Sequence, residues 1–247
     1  MTGLPAEQLE AYRERGHVTV AGVFTSTEID RAITDIEVWS TETLARMRPE
    51  DRQWYIEETK DGPVLRKLDN PHSERPLFLE LARKPALIAL VETIIGPGVS
   101  LYFSQVFMKP ARGGGPKPAH QDNYYFGPAD PDGLVTAWLA LDEATVENGC
   151  MRFADGSHKR DILQHDAPSG QPFNLQVPEA VLDGVDMSPA PVPRGGVSFH
   201  HGGVLHNSGD NKSNRPRRAC AFHYITNSNH FANPTLAYDE RLMTPIS

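Results

Sequence analysis

Apolar positions in the first hundred residues recur at helical spacing. Ile29, Ile33, Ile36, Leu44 and Met47 fall on one face of a helical wheel. Thr25 to Glu28, just ahead, has the spacing of a capping box, in which hydroxyl and carboxylate satisfy each other's free backbone N–H groups. Phe24 and Ile29 are placed as the accompanying staple. A second helix is predicted from about Pro85, whose missing N–H costs nothing in a first turn, to a stop at Gly96-Pro97. Leu87, Leu90, Val91 and Ile94 are its inward face. From Val99 the period changes. Short β-rich runs (Val99 to Met108, Leu134 to Leu141, Val197 to His201, Ala219 to Thr226) alternate with turn clusters such as Gly113-Gly114-Gly115 and Glu147-Asn148-Gly149.

These runs are too short and too widely separated for a βαβ repeat. The pattern predicts a mostly β protein with an N-terminal helical layer, folded as a double-sheet jelly roll. A single domain over 1–247 is expected. Residues 1–98 would be its helical support and 99–226 the jelly-roll core. The long Pro- and Asp-containing stretch within 159–194 would be a lid-like insertion, and 227–247 a C-terminal tail.

Composition narrows the partners. The 24 basic residues are outnumbered by 32 acidic ones, for a net charge of −8, so neither nucleic acid nor an anionic membrane surface is an expected partner. No stretch approaches the roughly 18 consecutive apolar residues of a bilayer span. Met1 to Glu10 lacks the basic and apolar regions of a signal peptide. Cys150 and Cys220 read as buried thiols rather than a disulfide framework. A cytoplasmic protein acting on a small molecule is the expectation, with oligomeric state left open.

Candidate chemistry centres on His120-Gln121-Asp122. Side chains at i and i+2 on a strand share one face, so His120 and Asp122 would point together into the barrel while Gln121 points elsewhere. With a second, distant histidine they make a 2-His-1-carboxylate triad, which suits Fe(II) and leaves coordination positions open. His206 is the candidate; His200, His201 and His223 compete with it. Ser208 lies two residues on, and Arg217 opens the next apolar strand. An arginine's planar fork grips a carboxylate with two charge-assisted hydrogen bonds, so Arg217 with Ser208 would clamp the remote carboxylate of 2-oxoglutarate. Arg215 and Arg218 are the alternatives within the same cluster, and Arg217 inward implies Arg218 outward. On the first strand Phe103, Gln105 and Phe107 share a face, which makes Gln105 a candidate contact to substrate or cosubstrate. Tyr124, Tyr125 and Phe126 are either pocket walls or strand core.

Three strings, AHQDNYYF (119–126), TAWLALDEATVENGCMRFADGSH (136–158) and HNSGDNKSNRPRRA (206–219), together with RERGHVTVAGVFTSTEID (13–30), resemble the phytanoyl-CoA dioxygenase family over most of the chain. The resemblance implies a double-stranded β-helix (cupin-like) and dependence on Fe(II), 2-oxoglutarate and O₂. It implies His120, Asp122 and His206 as metal ligands, Arg217 with Ser208 as the carboxylate clamp, and Trp138 as the tryptophan beside the cosubstrate. Asp155-Gly156-Ser157-His158 departs from the family's frequent Pro-Gly-Ser-His. Arg152 stands where an aliphatic or acidic residue is common, and its reading divides between substrate and solvent.

The expected reaction is hydroxylation of a small metabolite with release of succinate and CO₂. Desaturation, epoxidation and epimerisation use the same ligands. Related halogenases replace the carboxylate ligand with a small residue, so Asp122 argues against halogenation. Two rivals are a zinc hydrolase on the same triad and a non-catalytic metal-binding jelly roll; neither has a use for Arg217 and Ser208. No basic cluster marks a coenzyme A phosphate site.

Overall fold

The computed structural model describes residues 3–59, 62–169, 174–236 and 239–247. The N-terminal part contains α1 (Ala6–Arg15), β1 (His17–Val20), α2 (Ser26–Arg46) and the short α3 (Arg52–Tyr55). A hairpin of β2 (Ile56–Thr59) and β3 (Gly62–Leu65) follows, then β4 (Lys67–Asp69), α4 (Pro71–Glu74), α5 (Pro76–Ala82) and α6 (Pro85–Ile95). Next come β5 (Val99–Lys109), β6 (Lys117–His120), α7 (Asp122–Phe126), β7 (Leu134–Ala140) and β8 (Met151–Phe153). The chain ends with β9 (Ser188–Ala190), β10 (Val197–His201), β11 (His206–Ser208), β12 (Arg217–Thr226) and β13 (Thr244–Pro245).

Two antiparallel sheets form the body. The larger runs β1-β10-β7-β12-β5-β13, with β4 also on β5; the smaller runs β6-β11-β8-β9. All seven residues of β7 are buried, because both of its faces are covered. Val135, Ala137 and Leu139 face outward into one core with Ile29 and Ile36 of α2, Phe78 and Leu81 of α5, and Leu87 and Val91 of α6. Trp138 and Ala140 face inward and pack with Ala219 and Ala221 of β12 against Met151 and Phe153 of the smaller sheet. The helices thus cover the outer face of the large sheet, and the inner faces of both sheets enclose the site. This is the jelly roll that the run spacing predicts.

The capping box on α2 is present in both directions, with the Thr25 hydroxyl accepting from the Glu28 N–H and the Glu28 carboxylate accepting from the Thr25 N–H. The inward face of α2 differs from the expectation. Its buried residues are Ile29, Ala32, Ile36 and Trp39. Leu44 is 45% exposed and Met47 is already the C-cap, because no core lies beneath the last two turns. The N-terminal region also holds more strand than expected: β1 pairs with β10 and β4 with β5. The 159–194 segment is not wholly an insertion, since β9 pairs with β8 as the edge of the smaller sheet. Nor is the end of the chain a loose tail: β13 pairs with β5, and Ile246 packs on the helical core.

Candidate metal centre

His120 ends β6 and sits opposite His206 of β11 in the antiparallel register. Asp122 is not on a strand, contrary to the i, i+2 expectation. It is the first residue of α7, and Gln121 makes the turn in extended conformation (φ −125°, ψ 127°) as the helix N-cap. Gln121 is 1% exposed and fully engaged. Its backbone N–H donates to His165 Nε2 (2.9 Å), its amide donates to the Gly203 carbonyl (2.8 Å), and its side-chain oxygen accepts from the Leu163 N–H (2.8 Å). The residue between the two candidate ligands therefore ties them to the 159–194 segment.

His120, Asp122 and His206 are all buried, and one potential ligand atom from each lies within 4.8 Å of the others. His120 Nδ1 is 2.8 Å from the Pro118 carbonyl and His206 Nδ1 is 3.0 Å from that of Val204. A carbonyl only accepts, so both Nδ1 atoms carry the proton and both Nε2 atoms present lone pairs. Those lone pairs face Asp122 Oδ1 at 3.7 and 3.8 Å. Three acceptors converge with no proton between them. Such an arrangement is repulsive alone and is resolved by a cation, and two imidazoles with one carboxylate suit Fe(II).

The other carboxylate oxygen is held from behind. Thr136 Oγ1 donates to Asp122 Oδ2 (2.8 Å), and His200 Nε2 stands 3.3 Å from the same atom. Having given its proton to the carboxylate, the Thr136 hydroxyl must accept from His223 Nδ1 (2.9 Å). Burial pushes His206 and His223 down to about 4 and His120 well below its ordinary value, so the imidazoles are neutral at pH 7. Burial alone would raise Asp122, but the His200 hydrogen bond and the surrounding imidazoles outweigh it and hold the carboxyl well below its usual range. Of the competing histidines, His201 faces Asp132 (3.0 Å), away from the triad.

Arg217 opens β12 and is 3% exposed. Among the described residues it has no carboxylate within ion-pair distance, and its Nε has no partner. Its guanidinium carbon lies 5.4 Å from the Trp138 ring centre. Burial depresses it to about 10, with Cys150 and Asp142 acting weakly in the other direction. Strand alternation separates Arg217 from Arg218, and Arg215 precedes the strand. Arg218 points outward to Asp142 (2.8 Å) and Glu37 (3.2 Å), and Arg215 is exposed near Glu143 (3.7 Å). A buried, uncompensated guanidinium is costly unless an anion reaches it, which fits a dicarboxylate. Ser208 is buried on the same strand face as His206. Gln105 also faces inward, but its amide donates to Asp69 (2.7 Å).

A family model described as phytanoyl-CoA dioxygenase (PhyH) matches residues 12–219. The chain belongs to the phytanoyl-CoA dioxygenase family. It is 29% identical over 220 residues to a probable alpha-ketoglutarate-dependent hypophosphite dioxygenase of Stutzerimonas stutzeri, covering 86% of this chain and 76% of that protein. It is 25% identical over 239 residues to the peroxisomal phytanoyl-CoA dioxygenase of Homo sapiens, covering 92% and 70%. Among solved structures, the non-heme alpha-ketoglutarate-dependent carbocyclase SnoK from nogalamycin biosynthesis superposes with a TM-score of 0.76 at 20% identity. The match covers 99% of this chain and 97% of SnoK, a likeness of fold.

Within this family member the aromatic run is helical, not strand. The Tyr124 and Tyr125 hydroxyls donate to the carbonyls of His165 (3.1 Å) and Leu175 (2.6 Å), clasping the 159–194 segment, while Phe126 packs into a core with Tyr102. Arg152 is exposed and donates to the Met187 carbonyl (3.1 Å), as the solvent reading expects. Where the family often has proline, Asp155 accepts from His17 Nε2 (2.9 Å), and Gly156 adopts φ 75°, which suits its lack of a Cβ. Thr136 was not singled out in the sequence, and His200 and His223, weighed there only as rival metal ligands, prove to stand behind Asp122. Thr136 lies two residues before Trp138, so alternation alone could have placed it inward. Both cysteines are buried and free, as expected.

Proposed function

We propose that His120, Asp122 and His206 hold Fe(II), and that Arg217 with Ser208 holds the remote carboxylate of 2-oxoglutarate, in an oxygenase that hydroxylates a small molecule. The class of the chain is non-heme Fe(II)- and 2-oxoglutarate-dependent oxygenase. One observation carries the residue assignment: two Nε2 lone pairs and a carboxylate oxygen converge within 4.8 Å, while an unpaired guanidinium is buried in the same barrel.

When bound, the iron and 2-oxoglutarate supply oxidative decarboxylation, in which O₂ gives one oxygen atom to succinate and one to the substrate. The protein's own groups do the rest. Pro118 and Val204 carbonyls fix the imidazole tautomers. Thr136 and His200 occupy Asp122 Oδ2, so Oδ1 is the atom turned to the ligands. Trp138 supports the guanidinium face and helps exclude water from the clamp. Gln121, Tyr124 and Tyr125 hold the 159–194 segment against the centre.

Anaerobic titration of Fe(II)-loaded protein with 2-oxoglutarate tests the assignment. A weak visible metal-to-ligand charge-transfer band is expected in the native chain, and its loss in His206→Ala together with loss of iron. Native protein that takes up iron without developing the band would overturn the reading and favour the zinc hydrolase or a silent binding role. Among the described residues no helix is long and apolar enough to cross a membrane.

A further inference from the structure

Lys109 and Lys117 both face the interior of the barrel, and their surroundings differ sharply. Lys109, in register with Arg217 across β5 and β12, donates from Nζ to the carbonyls of Gly115 (2.7 Å) and Gly209 (2.5 Å). Its role is structural: the ammonium caps two loops. Lys117 has no such support. Among the described residues it makes no hydrogen bond and has no carboxylate within ion-pair distance; its Nζ lies 5.9 Å from the Tyr125 ring centre.

A β-bulge aims Lys117 inward. The β6–β11 register pairs His206 with His120 and Ser208 with Lys117, so four residues on β6 (117–120) oppose three on β11 (206–208). The extra residue cancels the usual alternation, and Lys117 shares the inner face with His120 although they are three apart. Tyr125, the ring beneath the ammonium, is 5.8 Å from the His120 ring and is fixed by its bond to Leu175. Lys117 thus stands beside the candidate metal ligands, across the β6–β11 pair from Ser208.

Charge balance leaves the Lys117 ammonium available to a further anion. Fe(II) with the Asp122 carboxylate leaves one positive charge, the 2-oxoglutarate dianion exceeds it by one, and Arg217 restores neutrality. Lys67 is answered by Asp69 at 3.1 Å. Lys117 remains, with Lys67 and Arg66 adding like charge around it and Asp122, the candidate metal ligand, acting in the other direction. Lys117 is half-buried and unpaired beside the candidate metal ligands, so its ammonium is open to an anionic group brought by a ligand.

Resting on the oxygenase reading above, we propose that Lys117 anchors a carboxylate, phosphonate or phosphate group carried by the substrate, so that this enzyme oxidises a small oxyanion. The group would pair with the Lys117 ammonium above Tyr125, with the oxidised centre held toward the metal. A basic cluster near the metal, absent from the linear sequence, is assembled from β4, β6 and the residue before β4.

The test is calorimetric titration of the anaerobic Fe(II)·2-oxoglutarate protein with methylphosphonate, hypophosphite and acetate, in native, Lys117→Met and Lys117→Arg forms. The native protein is expected to bind at least one of the three. Lys117→Met should weaken that binding roughly 10- to 100-fold, as expected for loss of one charge-assisted contact, and Lys117→Arg should retain most of it. The charge-transfer band with 2-oxoglutarate serves as the control for an intact centre in each variant. Absence of that band in native protein would defeat the oxygenase reading before any anion is added. With the band present, the proposal is overturned if none of the anions binds, or if Lys117→Met leaves their binding unchanged. It is also overturned if the loss falls on 2-oxoglutarate affinity instead, which would assign Lys117 to the cosubstrate's own carboxylate.

Discussion

Replacing Arg217 by methionine separates a binding role from a structural one, because the two have opposite signs in the protein free of metal and cosubstrate. The guanidinium is 3% exposed with no carboxylate partner among the described residues. Burial lowers it from its ordinary value to about 10, which, at about 1.4 kcal/mol per tenfold change in proton affinity, corresponds to about 3 kcal/mol of destabilisation. That cost persists at every pH below about 10, since the arginine is charged in the unfolded chain and must stay charged on folding. Methionine fills a similar stem volume without the charge. Losing the stacked contact with Trp138 returns about 0.5–2 kcal/mol, so a net gain of about 1–2 kcal/mol is expected. For a chain of this size that is a rise of roughly 2–8 °C in melting temperature.

Calorimetry of metal-free protein at pH 7 measures this directly. The same substitution removes two charge-assisted hydrogen bonds to the cosubstrate, about 1.5–3 kcal/mol each. The affinity for 2-oxoglutarate should therefore fall roughly 10²- to 10⁴-fold while iron is retained. Added 2-oxoglutarate should raise the melting temperature of the native iron-loaded protein and not that of the variant. An Arg217→Met protein that melts lower than native, with its 2-oxoglutarate affinity intact, would refute the reasoning and make Arg217 an ordinary structural cation.

Three further outcomes follow from the same geometry. Thr136→Val removes the hydroxyl from Asp122 Oδ2 and leaves His223 Nδ1–H without its acceptor. Metal affinity should fall roughly 10- to 100-fold, read by competition with a chelator; unchanged affinity would show that Oδ2 needs no such support. Gln121→Leu deletes the two side-chain bonds to Gly203 and Leu163, at a cost of about 1–3 kcal/mol. Faster limited proteolysis within residues 161–169, without loss of the overall fold, is the expected result. Metal-free protein should lose stability on acidification from about pH 6.5 toward pH 4. The unfolded histidines take up protons there, whereas buried His206 and His223 do so only near pH 4. The unfolded state binds more protons in this window, so stability falls by up to ~1.4 kcal/mol per pH unit for each histidine and is flat above it. Equal urea midpoints at pH 7 and pH 5 would contradict this.

What the sequence revealed depends on whether the deciding geometry was regular. The candidate triad was legible because its residue types are restrictive and two of them sit side by side in the chain. Strand alternation told only that Arg217 and Arg218 face opposite ways, a rule that β12 obeys up to a bulge near its far end. Four-residue β1 and three-residue β4 carry too few alternations to register, and pairing with β10 and β5 recruits them instead. The groups behind Asp122 were hidden for another reason. Thr136, His200 and His223 come one each from β7, β10 and β12, so no linear motif joins them, and only the sheet order brings them to one carboxylate oxygen.

Lys117 shows the limit most clearly. Counting alternate residues from His120 assigns it to the opposite face, and a reader of the sequence looking for an anion site near the metal would discard it. The single extra residue in β6 reverses that assignment. Bulges occur beside active sites because they re-aim one side chain without moving the rest of a sheet. Here the side chain re-aimed is a lysine with no ion pair among the described residues. A fold-level likeness cannot supply this information, since the shared barrel fixes the direction of the ligands and leaves their neighbours free to differ. Substrate choice in this chain is therefore argued from a local irregularity, and the calorimetric comparison of Lys117→Met with Lys117→Arg is where that argument stands or fails.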